Sequence, residues 1–94
     1  MGFAPCEKPE RYIQQLVNHW GHKYATSYDK AGGVGVFPFS EHENAVMSVQ
    51  KGGIAILLTT AEQERNLHMR GVIERHIDRF AFRETPLSYE WKDQ

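Results

Sequence analysis

The stretch Met69–Trp91, MRGVIERHIDRFAFRETPLSYEW, limits what this chain can fold into. Met69, Val72, Ile73, His76, Ile77 and Phe80 fall on one face at helical spacing, and Leu87-Ser88-Tyr89-Glu90-Trp91 alternates apolar with polar as a half-buried strand does. Between them, Arg79-Phe80-Ala81-Phe82-Arg83-Glu84 makes a corner with two aromatics set among two arginines and an acid. A helix with one apolar face, followed at once by a strand with one apolar face, must bury both faces against a shared core. That requirement selects a layer of helices on a layer of sheet.

The rest of the chain supplies the other parts. Pro9 suits the first position of a helix, Glu10 suits its dipole, and Tyr12, Ile13, Leu16, Val17 and Trp20 form its apolar stripe. Gly21 is expected to end that helix in a left-handed conformation. From His22 the period becomes two, with Tyr24, Thr26 and Tyr28 on one side. Asp29–Gly33 is a turn, Val34–Phe37 a strand ended or bulged by Pro38, and Ala45–Val49 the next strand. Gln50–Gly53 reads as a hairpin loop, and Ile54–Thr59 as a central or doubly covered return strand. Thr60 and Gln63 match a capping box for a helix reaching about Phe80, on which Leu67 falls off the apolar face and Gly71 costs ~1 kcal/mol against alanine. Phe3-Ala4 is a short edge strand or a frayed end. The expected fold is α+β and two-layered. It has an antiparallel meander of four to five strands, two helices on one face, and the order α-β-β-β-β-α-β within a single domain, 1–94.

Composition removes several function classes. The 11 basic and 12 acidic residues of this 94-residue chain give a net charge of -1, without the basic stripe that nucleic-acid binding needs. No apolar run approaches the ~20 residues that cross a bilayer, and no secretory signal pattern opens the chain. The single cysteine, Cys6, cannot form an internal disulfide, which points to the reducing cytoplasm.

The segments His19-Trp20-Gly21-His22-Lys23, Phe37-Pro38-Phe39, His76 to Glu84 and Leu87-Ser88-Tyr89-Glu90-Trp91 together resemble domain of unknown function 2218, a family of small bacterial domains. The resemblance runs from Pro9 onward. It implies a domain found alone or beside siderophore-interacting flavoproteins, hence an iron-uptake setting, and carries no catalytic residue with it.

Two groups of residues are candidates for chemistry. Arg75, His76, Arg79 and Arg83, beside Glu84, could hold a carboxylate or phosphate such as an anionic siderophore; alternatively Arg79 or Arg83 pairs with Glu84, Glu10 or Asp78 and fastens the corner. His19, His22 and His76 could converge on a metal if the helices pack side by side, although no ligand spacing supports them, and a core or capping role is the simpler use of each. No nucleophile–base pair or phosphate loop is present, so no catalytic residue and no cofactor is assigned. The expected function is a non-catalytic binding or accessory module, with a metal-dependent enzyme or a homodimeric interaction protein as the alternatives. For the homodimer, the Tyr24-Thr26-Tyr28, Leu87-Tyr89-Trp91 or Ile54-Ile56-Leu58 set is expected to remain on an uncovered sheet face.

Overall fold

The computed structural model describes residues 1–85 and 87–92. Its elements are β1 (Gly2–Pro5), α1 (Pro9–Trp20), β2 (Ser27–Asp29), β3 (Val34–Pro38), β4 (Asn44–Gln50), β5 (Gly53–Thr59), α2 (Gln63–Phe80) and β6 (Glu90–Trp91). Six strands form one antiparallel sheet in the order β2-β3-β4-β5-β1-β6. The α+β class, the two helices and the meander from β2 to β5 agree with the sequence. The leading strand, left open between strand and frayed end, forms and sits between β5 and β6. Gly2 pairs with both Ile56 and Trp91.

Two glycines make room for it. A Cβ on Gly53 would collide with the Ala4 carbonyl oxygen, and a Cβ on Gly2 would lie 2.5 Å from Trp91 Cε3. The hairpin between β4 and β5 is tighter than expected, because Gln50 and Gly53 are themselves paired. Only Lys51 and Gly52 turn, with Gly52 at φ 86. Gly33, at φ 66, turns the chain between β2 and β3.

The core lies between the sheet and the helices. Ile13, Leu16 and Trp20 of α1 and Met69, Ile73 and Ile77 of α2 are buried with Phe37, Met47, Ile54 and Ile56. Gly35 gives α1 its close approach, since a Cβ there would lie 2.7 Å from Ile13 Cγ2. On α2, Val72, His76 and Phe80 are half-buried at the margin of the face, and Leu67 is 55% exposed.

Some local expectations are corrected. Gly21 is right-handed, at φ −62, and glycine is used there for space: a Cβ would lie 2.8 Å from the Val17 carbonyl oxygen and 3.1 Å from Thr26 Oγ1. That Thr26 hydroxyl donates to Val17 O at 2.8 Å and caps the helix end. Residues 22–24 consequently turn, with Tyr24 N–H donating to Trp20 O at 2.8 Å, and the strand begins only at Ser27. The α2 capping box does not form. Glu62 is the N-cap without a side-chain bond, and Thr60 Oγ1 donates to Glu62 O at 2.9 Å. β5 is central but covered on one face only, because Leu57 is 37% exposed.

The closing strand shortens to two residues because side chains hold that segment to α2. The Tyr89 hydroxyl donates to Asp78 Oδ1 at 2.7 Å and lies 3.1 Å from Glu74 O. Trp91 Nε1 donates to Glu74 Oε2 at 2.6 Å. At the opposite end of α2, Arg65 grips Glu43 of the β3–β4 loop with two bonds of 2.6 and 3.0 Å. None of the three apolar sets expected on the uncovered face lies there. Ile54, Ile56 and Leu58 are under the helices, Tyr24 packs on Phe39, and Tyr89 and Trp91 are engaged by α2. The outer face instead carries Val36, Val46 and Leu57, which are cross-strand partners in one row.

Ile73 is fully buried against both layers, so Ile73→Ala should cost ~2–5 kcal/mol in chemical denaturation. A loss under ~0.5 kcal/mol, the scale of a surface change, would contradict its place in the core.

Candidate functional site

The corner after α2 is built by one small residue. Ala81 is buried, its N–H donates to Ile77 O at 2.8 Å, and Glu84 N–H donates back to Ala81 O at 2.8 Å. This tight turn sends Phe82 and Arg83 outward and brings Glu84 against the start of the chain. Glu84 Oε2 accepts the Tyr12 hydroxyl at 2.5 Å, and Oε1 accepts the Glu7 N–H at 3.0 Å. One carboxylate therefore ties the corner, the loop after β1 and the first turns of α1 together.

The electrostatics follow from that bond. The Tyr12 hydroxyl is pushed up to about 12, first by its hydrogen bond to Glu84 and then by burial. Burial and the nearby Glu84 charge push the Cys6 thiol up to about 11, so it stays protonated at neutral pH and is a poor nucleophile.

Beside this knot lies a cleft of about 270 Å³. Lys8 and Arg11 line it from the start of α1, and Arg83 lines it from the corner. Phe80 and Phe82 supply apolar wall. Its two acids, Glu7 and Glu84, are joined by the Glu84 hydrogen bond to the Glu7 backbone. Among the described residues neither Arg79 nor Arg83 forms an ion pair with Glu84, Glu10 or Asp78. Glu84 is engaged by Tyr12 and Glu7, and Asp78 by Tyr89.

The structure thus divides the five-residue corner group. Arg83 and Glu84 line the cleft, whereas Arg75 and Arg79 are exposed on α2 and His76 turns toward α1. Lys8, Arg11 and Tyr12 were missed as site residues. They lie about seventy positions upstream, and only the packing of α1 beside the corner brings them in. The single sequence cue was the acid at Glu84, which needed a donor from elsewhere.

His76 belongs to a second feature, the seam between the helices. Its ring lies 4.5 Å from the Trp20 ring and 5.4 Å from that of His19. Its Nδ1 lies 2.7 Å from Val72 O, and since a carbonyl only accepts, Nδ1 carries the proton. His22 is exposed beyond the end of α1. Among the described residues no group of three or more His, Cys, Asp or Glu side chains is placed to hold a metal ion. The His19 imidazole is held below its ordinary value of 6.5 by partial burial, then by His76, Arg79 and His22, so each charge acting on it is basic.

A depressed imidazole means that the unfolded chain takes up its proton first as the pH falls. Stability should therefore drop as the pH falls through 6.5, and level off once folded His19 is protonated. His19→Gln should reduce the loss in melting temperature between about pH 7.5 and about pH 5. An unchanged acid loss in the variant would refute this assignment.

Comparison with known proteins supplies a family and a fold. The model of a family described as "Uncharacterized protein conserved in bacteria (DUF2218)" matches residues 2–92. The NMR structure of PA4090 from Pseudomonas aeruginosa is similar at a TM-score of 0.76 and 21% identity, covering 99% of this chain and 95% of that one. At that identity it shows the shared fold. No curated protein matches. No helix among the described residues is long and apolar enough to cross a membrane.

Proposed function

We propose that this chain, which belongs to the DUF2218 family of uncharacterised bacterial proteins, is a module that binds a small acid in the cleft beside Glu84. The observation that supports this reading is the convergence of Lys8, Arg11 and Arg83 on one concavity, while the neighbouring Glu84 carboxylate is committed to Tyr12 and Glu7. Forked guanidinium donors suit a carboxylate or phosphate, and the Lys8 ammonium adds a point charge. Residence in the cytoplasm is supported by the single cysteine. The iron-uptake setting is supported by the family resemblance.

A ligand that binds only the folded state raises its apparent stability. Phosphate, citrate or a catecholate siderophore, at ~100 times its dissociation constant, should raise the melting temperature by ~10 °C or more. Arg83→Ala should remove the rise without unfolding the domain, because Arg83 is exposed. If no acid in this panel shifts the transition, the reading fails.

A second reading, a homodimer through the outer sheet face, is supported by the Val36–Val46–Leu57 row. The strands β3, β4 and β5 contain no charged residue, so pairing the same face of two copies about a two-fold axis would desolvate no ion there. Light scattering should then give about twice the 10.9 kDa chain mass at micromolar concentration. The chain mass itself would refute the dimer.

A further inference from the structure

We infer that the acid taken by this cleft carries a single aromatic ring, and that Phe82 selects it; the inference rests on the small-acid reading above. Among the described residues Phe82 is the most exposed of the large hydrophobic side chains, at 67%. The turn does not need it. Ala81 provides the buried anchor, and a polar side chain at position 82 would leave the backbone bonds of the turn intact. The ring's neighbour is a cation, with the Arg83 guanidinium 5.8 Å from its centroid, and Phe80 lines the same cleft. A flat apolar surface held beside three cations matches a flat molecule with one anionic end. The carboxylate meets Lys8, Arg11 and Arg83, and the ring lies against Phe82 in an offset or edge-on arrangement.

Volume restricts the size of that ligand. At about 270 Å³ the cleft is just below the ~300–1,000 Å³ range of sites for drug-sized ligands. One ring with its carboxylate fits that space. Citrate and phosphate satisfy the cations but leave Phe82 in water. Benzoate and acetate therefore form the informative pair, since they share a carboxylate and differ by the ring.

The experiment titrates the isotope-labelled chain with benzoate, acetate and phosphate and follows backbone amide shifts by NMR. Benzoate should bind at least roughly 3- to 10-fold tighter than acetate, the range expected of an aromatic contact. The largest shifts should fall on Lys8, Arg11, Phe82 and Arg83. Phe82→Ala should remove that preference and leave phosphate binding unchanged, and Phe82→Tyr should restore it. An unaltered melting temperature in Phe82→Ala would show that the change is not unfolding. If phosphate binds at these residues but benzoate has no advantage over acetate, or Phe82→Ala leaves benzoate affinity intact, the ring inference is wrong and the small-acid reading stands. Benzoate shifts centred away from the cleft would likewise overturn it. If phosphate, acetate and benzoate all fail to bind, the small-acid reading fails and the ring inference with it.

Discussion

The contact on which the rest of the structure depends is the backbone approach of β1 to β5 at Gly53. Ala4 and Ile54 are paired there, and no side chain larger than a hydrogen could stand at position 53 against the Ala4 carbonyl. By occupying that edge, β1 extends a four-stranded meander and offers its other side to β6. It also fixes where residues 6–8 emerge, and so where α1 begins. Cys6 N–H donates to Gly52 O at 3.0 Å, extending the pairing past the strand end. Without β1 in the sheet, Glu7 and Tyr12 would have no fixed relation to the corner at the other end of the chain.

Two hydrogen-bonded acids then hold α2 in place at its C-terminal half. Glu84 reaches forward to α1 and the loop before it, while Asp78 receives the Tyr89 hydroxyl. Both use a tyrosine hydroxyl to meet a carboxylate, a charge-assisted bond stronger than one between neutral partners. The phenol is kept protonated in both cases, at Tyr12 first by the hydrogen bond to Glu84 and then by burial, and at Tyr89 first by burial and then by the bond to Asp78. This arrangement accounts for the absence, among the described residues, of an ion pair from Arg79 or Arg83 to these acids. The acids are satisfied by neutral donors, and Arg83 is left to face the cleft.

The helix seam and the cleft are adjacent but differ in character. The seam is aromatic, with His76 against Trp20, His19 near Phe80, and Trp20 packed on Phe37 and Phe39. The charged groups that lower His19, after burial, are the basic His76, Arg79 and His22. The cleft mixes cations, acids and exposed ring surface. Phe80 takes part in both, since it meets the His19 ring in the seam and lines the cleft.

Periodicity made the helices, the β2–β5 meander and the central core residues legible, because burial of one face leaves the same spacing in any chain that packs helices on a sheet. The family resemblance was legible from short segments near the helix ends and the final strand. Tertiary structure alone decided the place of β1. Four residues ending in Pro5 carry too little pattern, and the strand forms because the distant Gly53 and its own Gly2 leave room for its neighbours on either side. It also decided the helix ends: Thr26 caps α1 from beyond a turn, and Glu62 displaces Thr60 at α2. The candidate site was half legible. Arg83 and Glu84 adjoin in sequence, but Lys8, Arg11 and Tyr12 reach them only when α1 packs across the corner. A contact between residues 72 apart, such as Tyr12 with Glu84, leaves no periodic trace in one sequence.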